Sequence, residues 1–108
     1  MGWDVLMVRP YESNDDSLNE DQMYSFTKQE TIDALKDIFN IKEIESEDWI
    51  DYENFCFAIS FDLSSDKSIM LYTELFDDDE EKLLETIKNL SNRLNCKVFD
   101  TIEAKFIF

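Results

Sequence analysis

The sequence predicts an α+β fold in which two helices cover one face of an antiparallel sheet. Residues 55–63 alternate without exception between large apolar side chains and small or polar ones, which is the period of a half-buried strand. Apolar residues between positions 83 and 94 recur instead at helical spacing and form a single stripe. Hydrophobic residues make up 44% of the 108 residues, enough for one core, so we expect a single domain over residues 1–108.

The chain is expected to begin with a central strand. Residues 3–8 form a nearly continuous apolar run that Arg9-Pro10 ends, and a strand with two apolar faces is typical of the middle of a sheet. Residues 12–21 then carry five acids and no base, which indicates a solvated loop.

The first helix is predicted over residues 28–40. Thr27 and Glu30 have the spacing of a capping box, and apolar residues recur at helical spacing from Ile32 onward. Residues 41–53 interleave acids with apolar and aromatic residues, and we interpret them as an irregular connection.

A β-hairpin is predicted over residues 55–76, with residues 64–68 as its turn. A five-residue loop pairs Leu63 with Ile69, and this register places the large apolar side chains of both strands on one face. The resulting pairs are Phe57 with Leu75, Ile59 with Thr73 and Phe61 with Leu71. A slip of one residue would turn half of these side chains to water, so the register is well specified.

The last third of the chain is predicted to form a helix over residues 79–94 and then one bent strand or a short closing hairpin over residues 97–108. Acids at the start of the helix and Arg93 towards its end suit the helix dipole, and Asn95 is predicted to be its C-cap. The element order β-α-β-β-α-β favours a ferredoxin-like two-layer sandwich with a four-stranded antiparallel sheet.

Composition excludes several kinds of chemistry. The chain has 26 Asp+Glu against 10 Lys+Arg, a net charge of −16, and no His, so no His-based catalytic triad or imidazole metal site exists. The single Gly and single Pro cannot build a glycine-rich phosphate loop. The charge disfavours nucleic acids and anionic membranes as direct partners, because Lys and Arg hold polyanions. We expect no enzyme activity and no cofactor.

The compartment is predicted from cysteine usage and hydropathy. Cys56 and Cys96 are isolated and indicate reduced thiols. The start of the chain lacks the pattern of a signal peptide, and no apolar run approaches the ~18 residues of a membrane span. We therefore expect a cytoplasmic protein.

Three features are candidates for binding a partner. Residues 77–81 are consecutive carboxylates, which a helix N-terminus alone can also explain. Acids in residues 43–53 surround Trp49 and Tyr52, which either anchor a partner or turn inward. The second face of the hairpin, with Met70, Tyr72 and Phe76 beside small residues, is either an open contact surface or is covered by other parts of the chain.

The two ends of the chain resemble those of a group of small bacterial proteins. The matching residues are Trp3-Asp4-Val5, Cys96 to Thr101 and Phe106-Ile107, whereas residues 102–105 stand where a Gly-containing turn is expected. The group comprises immunity proteins found beside secreted polymorphic toxins. The resemblance implies a toxin-neutralising role, but it transfers no binding residue, because such proteins vary most where they touch the toxin.

The leading hypothesis is a bacterial immunity-type inhibitor that binds a basic protein, with a nuclease toxin as the expected target. A surface of carboxylates is steered to a basic active site and occupies it where phosphates would lie. The alternatives are a phage-type nucleic-acid mimic that inhibits a host defence or DNA-binding protein, a metal-dependent hydrolase, and an acidic domain whose charge serves solubility. A homodimer through the open sheet face is a further hypothesis. The predicted partner-binding residues are Glu45, Glu47, Asp48, Trp49, Asp51, Tyr52, Asp77, Asp78 and Asp79.

Overall fold

A computed structural model describes residues 2–11, 20–77 and 80–108. Its strands are β1 (Gly2–Pro10), β2 (Met23–Tyr24), β3 (Trp49–Glu53), β4 (Phe57–Asp62), β5 (Ser68–Leu75), β6 (Lys97–Asp100) and β7 (Lys105–Phe106). The helices are α1 (Lys28–Phe39) and α2 (Glu80–Leu94), and a short 3₁₀ turn covers Glu20–Gln22. The predicted loop over residues 12–21 lies mostly outside the described residues.

The α+β class and the antiparallel sheet with two helices are confirmed. In the part of the chain described here, the sheet has seven strands in the order β3-β4-β5-β1-β6-β7, with β2 pairing with β1. The prediction of a four-stranded ferredoxin-like β-α-β-β-α-β sheet was wrong in the number of strands, and the complete strand order differs from it. Two of the additional strands have only two residues each, too short to show a period of two in the sequence.

The third additional strand corrects the interpretation of residues 41–53 as irregular. Trp49–Glu53 forms β3 and pairs with β4, and its side chains are alternately exposed and buried or half-buried. Ile50 faces the core while Trp49 and Asp51 face solvent. Because the solvent side combines an aromatic ring with acids, the alternation is weaker in hydropathy than in the neighbouring strand.

The predicted hairpin register is confirmed, but its first strand begins later than predicted. Phe57 pairs with Leu75, Ile59 with Thr73 and Phe61 with Leu71. Phe55 is 99% exposed and precedes the strand. The cause is an Asn turn: the Asn54 side-chain oxygen accepts hydrogen bonds from the backbone N–H groups of Cys56 and Phe57, both at 2.8 Å.

The helix ends follow the capping signals in the sequence. The Thr27 hydroxyl accepts from the Glu30 N–H at 3.2 Å, and Glu30 accepts from the Thr27 N–H at 2.8 Å, so the capping box is present. α1 ends at Phe39, one residue earlier than predicted, because Asn40 adopts a left-handed conformation with φ of 54°. Asn95 has φ of 51° directly after α2, as expected for a C-cap.

The core lies between the helices and one face of the sheet. Val5, Met7, Ile59, Phe61 and other apolar residues of that face are buried against the two helices. Nine of the apolar residues of the predicted helices and hairpin belong to this cluster, and Leu75 is partly buried and packs against it: Ile32, Leu35, Phe57, Ile59, Phe61, Leu71, Leu83, Ile87 and Leu90. The opposite side of the sheet is therefore the side without helices.

Arg9 ties the end of β1 to both helices. Its Nε donates to the Leu94 carbonyl at 3.1 Å, and its guanidinium lies 4.3 Å from the centre of the Phe26 ring. Its Nη2 forms an ion pair with Glu30, and the hydrogen bond from Arg9 is the main cause that lowers the pKa of Glu30 to about 2. Arg9 thus joins the α1 N-terminus to the α2 C-terminus.

The β6–β7 turn uses an unusual residue. Residues 101–104 form the turn between β6 and β7, which together make a closing hairpin, one of the two predicted forms of this segment, and Phe99 pairs with Phe106. Ala104 has φ of 54°, the left-handed region that favours glycine. Among the helices of the described residues, none is long and apolar enough to cross a membrane.

Candidate functional site

The side of the sheet opposite the helices, here called the outer face, consists of cross-strand rows of side chains. Strand pairing places the members of each row side by side. One row runs Trp49, Asp62, Met70, Leu6, Phe99, Phe106; the next runs Asp51, Ser60, Tyr72, Asp4; a third runs Glu53, Ala58, Glu74. The first row is largely apolar, and the other two are acidic.

These rows contain five carboxylates and no Lys or Arg. The acids are Asp4, Asp51, Glu53, Asp62 and Glu74. Lys97 lies on the same face beside the first row, with its Nζ 5.7 Å from the centre of the Phe106 ring. The acids of β3, β4 and β5 therefore face solvent with no cation between them in the rows, and this part of the sheet has a negative potential.

An aromatic pair lies at the centre of this acidic region. The rings of Trp49 and Tyr72 are stacked with their centres 5.8 Å apart and their planes at 23°. Trp49 is 45% exposed and Tyr72 is 41% exposed, so a partner can contact both rings. Trp49 belongs to β3 and Tyr72 to β5, and the stack passes over β4 between them.

Asp51 fixes the orientation of the Trp49 indole. Its Oδ1 accepts a hydrogen bond from Trp49 Nε1 at 2.8 Å and another from the Ser60 hydroxyl at 2.6 Å. In the described part of the chain, no hydrogen bond to Asp51 Oδ2 is found. Two hydrogen bonds therefore hold this carboxylate beside the indole.

Asp62 is also held in its charged form. Hydrogen bonds from the Ser64 side chain and backbone lower the pKa of Asp62 below its ordinary value, and the backbone N–H bond is 3.0 Å. This carboxylate lies directly opposite Trp49 on the neighbouring strand. It adds a charge that persists in mildly acidic solution.

The structure divides the predicted cluster of residues 45–52. Trp49 and Asp51 lie on the outer face. Tyr52 points to the opposite side, where its ring packs 4.6 Å from that of Phe39. Glu45, Glu47 and Asp48 are exposed in the loop before β3, and Lys28 forms an ion pair with Asp48 and donates to the Glu47 carbonyl at 3.1 Å.

The second predicted cluster is only partly described. Asp77 is exposed after β5, whereas the predictions for Asp78 and Asp79 lie outside the described residues. Glu80 and Glu81 occupy the first turn of α2, where the helix dipole favours carboxylates. The helix dipole is thus sufficient to explain the acids at these two positions.

The hairpin face was predicted from the sequence, but its extension across β3 and β1 was not. Ala58, Ser60 and Asp62 lie opposite Glu74, Tyr72 and Met70, as the register predicts. Asp4 was missed because it stands in an otherwise apolar run, and Asp51 was assigned to a connection rather than to this face. The alternation over residues 49–53 was the signal that could have placed Asp51.

A second concave region lies on the helix side of the sheet. A cavity of about 540 Å³ is lined mainly by apolar side chains of α2 and the C-terminal segment, together with Trp3 and Asp100. Asp100 accepts from Trp3 Nε1 at 3.1 Å and from the Ile102 and Glu103 N–H groups. Burial raises the pKa of Asp100, but these bonds outweigh it and the pKa is lowered. Asp100 is a structural carboxylate whose oxygens are already bonded.

The remaining reactive groups show no catalytic arrangement. Both cysteines are free, and burial raises the pKa of the Cys96 thiol to about 12, which keeps it protonated at neutral pH. Across residues 2–11, 20–77 and 80–108, no group of three or more carboxylates or thiols is placed to hold a metal ion.

Comparisons with known proteins return no relative. No protein-family model matches the chain, and neither a curated protein nor a solved structure matches it. The outer face, with its rows of carboxylates around two stacked rings, is thus the feature from which a function is inferred.

Proposed function

We propose that this chain is a cytoplasmic immunity-type inhibitor that binds and neutralises a basic protein, and that this protein is a nuclease toxin. The observation that carries the proposal is the outer face, where the described rows around the exposed Trp49–Tyr72 pair contain five carboxylates and no Lys or Arg. The resemblance of the two chain ends to immunity proteins supports the same function.

The chemistry of a nuclease matches this surface. A nuclease needs Lys and Arg around its active site to hold a polyanionic substrate. A protein with a net charge of −16 is attracted to that region over long range, which raises the association rate. The aromatic pair then supplies the desolvated contact that charges at a solvated rim do not.

The same charges argue against the outer face as a homodimer contact. A second copy would place its own carboxylates against those of the first, and like charges across an interface are costly.

We also propose a description of the fold. Four neighbouring strands of the sheet, β4-β5-β1-β6, support the proposal that its centre is an elaborated ferredoxin-like sandwich.

The test is capture followed by an activity measurement. The chain is immobilised, used to capture proteins from its native host, and the captured protein is identified and purified. We expect a basic toxin whose nucleic-acid cleavage the chain abolishes at equimolar concentration. A captured host DNA-binding protein would instead support the nucleic-acid mimic. A purified partner whose activity is unchanged at a tenfold excess of the chain would overturn inhibition.

A further inference from the structure

We infer, resting on the proposed function, that the Trp49–Tyr72 pair and Asp51 form a binding site for an arginine side chain of the partner. The guanidinium would stack on the aromatic surface and donate hydrogen bonds to Oδ2 of Asp51. We call these three side chains, Trp49, Tyr72 and Asp51, the arginine site.

The site is preorganised before a partner arrives. The ring stack and the bonds from Trp49 Nε1 and Ser60 to Asp51 Oδ1 fix the aromatic surface relative to the carboxylate. Little side-chain freedom remains to be lost on binding, which favours affinity. In the described residues nothing donates to Asp51 Oδ2, so this oxygen is available to an incoming donor.

Arginine fits this arrangement better than lysine does. Its planar guanidinium stacks on aromatic rings and presents several N–H donors at its edge, whereas the lysine ammonium is a strongly hydrated point charge. The acids around the rings supply charge complementarity on several sides: Asp4 is paired with Tyr72 from β1, and Asp62 with Trp49 from β4.

Other occupants conflict with the charges. A nucleic-acid base also stacks on aromatic rings, but its phosphates would meet five carboxylates. An apolar peptide segment would cover Trp49 and Tyr72 while removing water from Asp51 and Asp62 without giving them donors, which is unfavourable. A cation with a flat apolar face satisfies the rings and the acids together.

The experiment compares two capped peptides, hexa-arginine and hexa-lysine, by NMR of the tryptophan indole N–H groups at low salt. The chain has two tryptophans, and Trp3 lines the cavity on the helix side of the sheet and donates to Asp100, so its indole signal is a control on the opposite side of the sheet. We expect hexa-arginine to shift the Trp49 indole signal and to bind more tightly than hexa-lysine, with the Trp3 signal unchanged.

Single substitutions test which side chains bind hexa-arginine. Trp49→Ala and Tyr72→Ala should each weaken hexa-arginine binding by roughly threefold or more while leaving hexa-lysine binding unchanged. The affinities of all variants are measured from backbone amide shifts, because Trp49→Ala removes the reporting indole. Asp51→Asn should weaken hexa-arginine binding as well. Phe55→Ala is the matched control, because it removes an exposed aromatic ring outside the arginine site and should change neither affinity. Trp49 and Tyr72 are both partly exposed, and the dispersion of the remaining amide signals checks that each variant is folded.

The outcomes separate the two proposals. Equal affinity for both peptides, or a hexa-arginine effect that Trp49→Ala and Tyr72→Ala leave intact, overturns the arginine site but leaves the acidic inhibitor standing. Absence of binding by either peptide at low salt overturns both. The arginine site is supported if the wild type binds hexa-arginine more tightly than hexa-lysine and the two aromatic variants lose this preference.

Discussion

The indole ring of Trp49 stacks on the phenol ring of Tyr72, two strands away, with 5.8 Å between their centres. The two rings lie diagonally across β4, because Trp49 pairs with Asp62 while Tyr72 pairs with Ser60. The stack therefore links the edge strand β3 to the interior of the sheet on the solvent side. On the opposite side, Tyr52 of β3 packs against Phe39 of α1. β3 is held from both faces.

The first prediction concerns the energy of this stack. A double-mutant cycle with Trp49→Ala and Tyr72→Ala should give a coupling of about 0.5–1.5 kcal/mol in the free energy of unfolding, measured by urea denaturation. As a control, Trp49→Ala and Tyr24→Ala should be additive, since the Tyr24 ring makes an edge-on contact with Tyr11 and none with Trp49. A coupling near zero for the first pair would mean that the rings do not stack in solution.

The second prediction concerns the core. Ile59→Ala and Ile87→Ala should each lower the free energy of unfolding by roughly 2–5 kcal/mol, because both side chains are fully buried between sheet and helix. Phe55→Ala should change it by less than about 0.5 kcal/mol, although it removes more atoms, because Phe55 is exposed. Chemical denaturation of the three variants checks both statements, and a large loss in Phe55→Ala would contradict the strand boundary.

The third prediction concerns pH and the Arg9–Glu30 pair. The pKa of Glu30 is lowered from 4.5 to about 2 in the folded chain, mainly by the hydrogen bond from Arg9. The charged carboxylate therefore stabilises the fold above about pH 4.5, and this contribution is lost as the pH falls towards 2. The stability advantage of wild type over Glu30→Gln should decline across that range.

The comparison isolates this pair from the rest of the carboxylates. Protonation of other acids affects wild type and Glu30→Gln alike and cancels in the difference. In an Arg9→Met background, the difference between Glu and Gln at position 30 should depend much less on pH. A difference that keeps its full pH dependence without Arg9 would show that another group lowers the pKa of Glu30.

The fold could be predicted where one physical signal was strong. Residues 57–62 and α2 each carry large apolar side chains at one clear period, and their register and buried faces are confirmed. β2 and β7 have two residues each and are defined by pairing with distant strands, which local periodicity does not contain. Phe55 continued the strand pattern, yet the Asn54 side chain bonds the following N–H groups and delays the strand.

The candidate site was predictable only in pieces. The excess of acids could be predicted from the composition, and the face with Met70, Tyr72 and Glu74 could be predicted from the alternation of side chains along the strand. The joining of Trp49, Asp51 and Asp4 to that face depends on which strands flank β4 and β5, which is a property of the whole sheet. Tyr52 could not be placed for the same reason: only the strand β3 shows that Tyr52 and Trp49 lie on opposite sides of the sheet.

The fourth prediction concerns ionic strength. Self-repulsion among 26 acids against 10 bases destabilises the compact state at neutral pH, and salt screens it. The melting temperature should rise between low and moderate ionic strength, measured by circular dichroism at pH 7 with sodium chloride. Sodium and calcium chloride at equal ionic strength should act alike. A flat melting temperature would indicate that the acids are neutralised by pairing or by a specific cation.

The last prediction locates the partner surface by association rates. Three triple variants each remove three of the 26 carboxylates, so they change the net charge equally. The outer-face variant is Asp51→Asn/Glu53→Gln/Glu74→Gln, the loop variant is Glu43→Gln/Glu45→Gln/Glu47→Gln, and the helix variant is Asp33→Asn/Glu81→Gln/Glu85→Gln.

With the captured partner in stopped-flow experiments at low salt, the outer-face variant should associate about tenfold more slowly than wild type. The helix variant should lose much less, because its acids lie on the other side of the sheet, across the core. The loop variant tests Glu45 and Glu47, two of the residues predicted from the sequence to bind the partner, and a loss there equal to that of the outer face would extend the contact to the loop before β3. Equal losses in all three variants would mean that net charge alone steers the chain, and the outer face would then have no special role in binding.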